Sequence, residues 1–198
     1  MSFDVSDLLN AYTIGIFPMA DDSGEIHWYA PNPRAIIPIE NYEPSKSLRP
    51  ILNQQKFEVR INCDFEQVMR NCAKPRFTGD STWISEEIIH MYTELHHLGF
   101  AHSVEAYQDG ELAGGLYGVA IGGAYFGESM FHLKPNASKV AFHFLIDILK
   151  KNAYQLLDTQ FINDNVKRFG AIEVPRNFYE KKLRDALTKE CHFRLNPE

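Results

Sequence analysis

Between residues 101 and 160 the spacing of apolar residues changes period, and that change limits the available folds more than any other feature. Residues 101–107 alternate as a half-buried strand does, and Asp109-Gly110 follows, a pair suited to a two-residue hairpin turn. Residues 112–121 and 124–131 are almost continuously apolar or small on either side of Gly122-Gly123, as expected of strands covered on both faces. The spacing then becomes helical. Val140, Ala141, Phe144, Leu145, Ile148 and Leu149 form one stripe, with Asn136 or Ser138 positioned to start it. A short apolar strand, 155–158, closes the series.

Meander strands, a long helix and a returning strand predict an α/β (α+β) fold with the layout of an N-acetyltransferase-like core. Upstream, residues 57–62 alternate as a strand, Asp64 is placed to cap a helix through Cys72, and Ser85 to open another that Gly99 closes. Shorter helices are expected at 164–169 and 177–187. The first part reads differently. A short helix over 4–15 is followed by a turn at 21–24 and a proline-rich stretch. The expected organisation is therefore a small N-terminal lobe, 1–50, before a catalytic domain, 51–198.

Composition mainly excludes. No apolar run reaches the roughly 20 residues a spanning helix needs, and the start lacks the features of a signal peptide, so a cytoplasmic protein is expected. Three cysteines without a CxxC pair suggest neither a disulfide framework nor a zinc site. A net charge of −6 argues against broad nucleic-acid binding but leaves room for a local basic patch. The nucleotide loops GxxxxGK[ST] and GxGxxG are absent, as are a Gly-x-Ser-x-Gly elbow and a metal-ligand cluster. An enzyme with this inventory needs a substrate that is already activated, and no cofactor or metal is expected.

Several residues could carry chemistry. Glu128 sits in a run that is otherwise apolar or small, where a carboxylate either pairs internally or lines a cleft. Asp158 ends a buried strand, beyond which ligands bind in open α/β sheets; it either faces such a ligand or caps the next segment. Gln160 lies two residues on, on the same side in extended backbone, and Asn163 joins them if the chain turns. Trp83, in Ser81-Thr82-Trp83-Ile84 beside Lys74, Arg76 and Thr78, either stacks a base near phosphate contacts or packs in the core.

At these residues the chain resembles the leucyl/phenylalanyl-tRNA–protein transferase family. The matching runs are Ala11-Tyr12 with Gly15-Ile16-Phe17-Pro18, Trp28 with Pro31-Asn32-Pro33-Arg34, Ser45-Lys46-Ser47-Leu48-Arg49, Thr82-Trp83-Ile84, and Leu95-His96 with Gly99. Residues 101–105, 114–120, 127–131, Ala137-Ser138-Lys139 and Asp158-Thr159-Gln160 continue them in family order. The resemblance implies an acetyltransferase-like domain behind a smaller lobe. It implies transfer of Leu or Phe, and Met less well, from aminoacyl-tRNA to proteins beginning with Arg or Lys, which marks them for degradation. By the same match Asp158 and Gln160 correspond to the reactive pair, Glu128 to a polar cleft residue and Trp83 to an aromatic at the tRNA 3′ end. Leu116, Met130 and Leu157 fall in the amino-acid pocket. Met19 stands where many members carry Trp.

The expected chemistry is aminolysis of an activated ester, with Asp158 helping to deprotonate the incoming α-ammonium directly or through Gln160. Glu128 is a candidate for facing the acceptor's Arg or Lys side chain or the donor's amino group. Contacts to tRNA are expected from Arg34, Lys46, Arg49, Lys74, Arg76 and Lys139, on a protein working as a monomer. The competing readings are an acetyl-CoA-dependent N-acyltransferase and a noncatalytic tRNA- or peptide-binding module.

Overall fold

The computed structural model describes residues 4–21, 23–75 and 82–196. Its helices are α1 (Val5–Thr13), α2 (Arg49–Asn53), α3 (Phe65–Cys72), α4 (Glu86–His97), α5 (Ala137–Lys151), α6 (Asp164–Lys167) and α7 (Arg176–Leu187). Strands β1 (Phe17–Ala20) and β2 (Ile26–Tyr29) form a small hairpin. Strands β3 (Arg34–Ile36), β4 (Glu58–Ile61), β5 (Ala101–Gln108), β6 (Glu111–Ile121), β7 (Ala124–His132), β8 (Leu156–Gln160) and β9 (Ile172–Val174) form one mixed sheet in the order β4-β5-β6-β7-β8-β3-β9. Only β7 and β8 run parallel, Ala124 opposite Leu156; every other neighbouring pair is antiparallel. The molecule is thus a mixed α/β protein.

The central meander and its crossover helix follow the expected pattern. Asp109 and Gly110 both take positive φ, 56° and 81°, as a type I′ hairpin turn requires. Alternation along β6 sends Tyr117 and Val119 into one apolar cluster, with Leu8, Val68, Met69, Ile88, Tyr92 and Leu183. Leu116 and Ala120 face the other, with Phe142, Leu145, Ile148 and Leu149 of α5. Gly114 lets α5 approach β6: a Cβ there would lie 2.6 Å from that of Ala137 and 3.0 Å from the Ser138 nitrogen.

The structure departs from expectation in three places. Asp64 occupies the position before α3 but makes no side-chain cap. Instead Glu105, fully buried on β5, accepts the N–H groups of Cys63 and Asp64 at 3.0 Å each and the Ser103 hydroxyl at 2.8 Å. Strands β3 and β9, of three residues each, are too short to carry a readable period. Finally, β3 lies between β8 and β9, and α1 packs into the same cluster as α4. The division expected at residue 50 therefore cuts through the sheet rather than beside it.

Candidate functional site

Asp158 ends up in the interior. It is 0% exposed, and its carboxylate is fully engaged. Oδ1 accepts from Arg34 Nε at 2.9 Å and from the Gln160 backbone N–H at 2.8 Å. Oδ2 accepts from Arg34 Nη2 at 2.8 Å and from the Tyr179 hydroxyl at 2.6 Å. Arg34 is itself 1% exposed. Its guanidinium lies between the Phe17 and Tyr179 rings, 4.7 Å from each, and donates to the Gly15 carbonyl at 3.0 Å. Gly15 is required there, because φ is +78° and a Cβ would come within 2.7 Å of the Tyr179 ring.

This arrangement corrects two expectations. Arg34 does not reach phosphate, since its charge is consumed by a buried ion pair. Asp158 does not face the same space as Gln160. The two-residue rule assumes extended backbone, whereas Gln160 has φ +64°, a left-handed conformation held by its N–H to Asp158. Its side chain turns to Glu128 instead, Nε2 donating to Oε2 at 3.0 Å.

Glu128, on β7, is half-buried. Its Oε1 accepts from the Tyr12 hydroxyl at 2.6 Å, and Tyr12 in turn shares a short hydrogen bond with Tyr92. Burial pushes the Glu128 carboxyl up to about 7; the hydrogen bonds from Tyr12 and Gln160 hold it down only in part, and nearby Asp158 adds to the rise. Burial likewise raises Tyr12 and Tyr92 well above the ordinary phenol range, with Glu128 adding to both, so neither tyrosine ionises at neutral pH.

Glu128 and Gln160 open on a cavity of about 300 Å³. Leu116, Met130, Leu157, Phe142 and Leu145 supply its apolar walls, and Trp83, Met19 and Phe161 lie on it as well. Asn163 borders it while its Oδ1 caps α6, accepting from the Asn165 and Val166 N–H groups. All of the residues expected around the substrate thus share one cavity, and Asp158 stands behind its wall. Two buried oxygens on this wall, Tyr117 Oη and Thr159 Oγ1, have no partner among the described residues.

Sequence reasoning did not single out Tyr92 or Tyr179 and took Tyr12, Tyr117 and Thr159 only as parts of motifs. The available signal was a tyrosine on a buried helical stripe, Ile88-Tyr92-Leu95, whose hydroxyl needs an interior partner. Of the other expected tRNA contacts, Lys46 and Arg49 are exposed and line neither cavity, and Arg49 pairs with Glu43 at 3.0 Å. Lys74 and Lys139 meet on a second cavity of about 750 Å³, which shares Met130 and Asn165 with the first. Arg76 lies outside the described residues. Asp21, Glu25 and His27 approach one another on the exposed turn between β1 and β2, where Asp21 Oδ1 is already taken by Ser23 and Glu25 N–H groups.

Comparison with known proteins gives concordant matches. Residues 36–184 match the family described as Leucyl/phenylalanyl-tRNA protein transferase, and residues 1–32 match its N-terminal domain. A leucyl/phenylalanyl-tRNA–protein transferase of Chlorobaculum tepidum is 51% identical over 190 residues, covering 96% of this chain and 98% of that one. One from Gloeobacter violaceus is 49% identical over 189 residues, covering 94% and 95%. Among solved structures, L-PGS from Bacillus licheniformis aligns with a TM-score of 0.48 at 12% identity, covering 98% of this chain and 66% of that one.

Proposed function

This chain belongs to the leucyl/phenylalanyl-tRNA–protein transferase family, and from that premise we propose that Glu128 is the base of its reaction, with Gln160 beside it and Asp158 as a positioning residue. The enzyme moves Leu or Phe from aminoacyl-tRNA to the N-terminus of a protein. The acceptors on this reading begin with Arg or Lys, and their products are destined for degradation. The fold is read as an N-acetyltransferase-like core, and the enzyme as a cytoplasmic monomer.

The observation that carries the reading is a carboxyl with a pKa near 7 on the wall of an apolar cavity. The donor ester is already activated, so the obstacle is the acceptor. Its α-amine, with a pKa of about 7.7–8.0, is largely protonated at neutral pH. A base matched to that pH is the most effective one. Glu128 takes the first proton, freeing the amine to attack the ester carbonyl carbon. The new C–N bond forms, the C–O bond to the ribose breaks, and the second proton passes to the departing ribose oxygen. Gln160 holds Glu128 through one amide N–H, and its carbonyl oxygen, unpartnered among the described residues, can accept from the ammonium. Leu116, Met130 and Leu157 receive the donor side chain. Because a methylene in such a pocket is worth only about 1–3 kcal/mol, Leu, Phe and Met are all admitted.

The test is transfer from radiolabelled Leu-, Phe- and Met-tRNA to Arg-, Lys- and Ala-starting peptides, with acetyl-CoA as a competing donor. Glu128→Gln is expected to slow transfer equally to Arg- and Lys-peptides, whereas loss of preference among the peptides assigns Glu128 to the acceptor side chain instead. Labelling from acetyl-CoA rather than from charged tRNA would sink the reading.

A further inference from the structure

We propose that the second cavity is a phosphodiester site at the N-terminus of α5, built by Ser138, Lys139 and Arg168, and that it holds the tRNA backbone one step from the aminoacylated nucleotide. The inference rests on the transferase reading above.

The groove is electropositive in a chain whose net charge is −6. Lys74, Lys139 and Arg168 all line it, and no carboxylate of the described residues does. Among the described residues Lys74 and Lys139 have only neutral partners, Asn71 Oδ1 at 2.6 Å and Asn136 Oδ1 at 3.2 Å. Arg168 pairs with no carboxylate among the described residues. Some cations outside the groove are neutralised at close range, as Arg70 is by Glu66 and Glu86 and Lys151 by Asp147. Uncompensated cations in one concavity focus potential for a polyanion.

The helix supplies the rest. α5 has 15 residues and no acid in its first turn. The backbone N–H groups of Ser138 and Lys139 have no acceptor among the described residues, whereas Ala137 and Val140 donate to Lys134 and Asn136. The Ser138 side chain, with the residue only 8% exposed, lines the groove and has no hydrogen-bond partner among the described residues. An unmet hydroxyl, free N–H groups and the positive end of a helix form an anion site. Gly114 keeps that helix end pressed onto β6.

Position identifies the anion. Met130 and Asn165 are common to both cavities, and Asn165 Nδ2 donates to Met130 Sδ at 3.6 Å, so one thin wall separates the donor pocket from the groove. A nucleotide whose aminoacyl group fills the first cavity has its adjoining phosphodiester within reach of the second. The acceptor is disfavoured there, because its N-terminal Arg or Lys would meet like charge.

The test compares KM for leucyl-tRNA with KM for 2′(3′)-O-leucyladenosine, which carries no phosphate, across a salt series. Arg168→Ala and Lys139→Ala are each expected to raise KM for leucyl-tRNA about tenfold, and to flatten its dependence on log salt by about 0.7. Arg168 is exposed, so its removal tests the site without disturbing the core; Lys139→Gln provides a second variant. An equal rise with leucyladenosine, or an unchanged salt slope, overturns the proposal. So does a site that serves a coenzyme instead: inhibition of wild type by free coenzyme A that disappears in the variants while KM for leucyl-tRNA stays put. If wild type transfers leucine from neither donor, the transferase reading fails, and this inference falls with it.

Discussion

Asp158 and Glu128 are acids joined through one residue, and their surroundings give them opposite characters. Gln160 serves both, its backbone N–H on Asp158 and its side-chain amide on Glu128. Asp158 meets a guanidinium in bidentate geometry plus a phenol, with no face open. Glu128 meets only neutral donors and opens on a cavity, so burial is incompletely offset and its proton affinity rises to about 7. A carboxylate saturated by a cation is suited to a strut; one held by neutral groups at a cavity wall has the proton affinity that the proposed base requires.

The sharpest contrast lies in what each deletion costs. Glu128→Gln is expected to lower kcat about 10²- to 10⁴-fold, the range for loss of a positioned base, with folding intact. Single-turnover transfer to an Arg-peptide measures it; an unchanged rate would return Glu128 to a binding role. Asp158→Ala is expected to cost about 3–5 kcal/mol of stability by urea denaturation, because the Arg34 charge is left buried and unpaired. A loss below about 1 kcal/mol would erase the distinction between the two acids.

The signs are also expected to differ. The Glu128 pKa is about 7 in the fold against 4.5 for the ordinary group. Between those values the native state keeps a proton that the unfolded state has released, so this group's contribution to stability falls as pH rises from 4.5 to 7. The sum is about 3 kcal/mol at most, so Glu128→Gln is expected to be more stable than wild type above pH 7, the reverse of Asp158→Ala. Thermal melts at pH 5 and pH 8 separate these outcomes. The smallest effect is that of Tyr12→Phe. Removing a hydrogen bond that holds the carboxyl down moves the acid inflection of kcat/KM to higher pH, and an unmoved inflection would show that the Tyr12–Glu128 contact has no part in tuning the base.

The regular parts of the molecule were legible because their order is local. The Asp109-Gly110 turn, the alternation in β6 and the stripe of α5 each declare themselves within a dozen residues. The cavity wall was legible through family resemblance, which named Leu116, Met130 and Leu157 before any geometry did. The buried ion pair was not. Arg34 follows Pro33 in a stretch without period, so it read as a surface cation, and its partner lies 124 positions away. Gln160 misled for a different reason: a single left-handed φ breaks the alternation on which its orientation was inferred.

That separation of 124 positions between Arg34 and Asp158 also has a consequence for biosynthesis. At about 5–20 residues per second, ribosomes make the arginine on the order of ten seconds before the aspartate. Throughout that interval β3 has neither of its neighbouring strands, β8 and β9, and Tyr179 is later still. The nascent chain therefore lacks the Arg34–Asp158–Tyr179 cluster until residue 179 has been made.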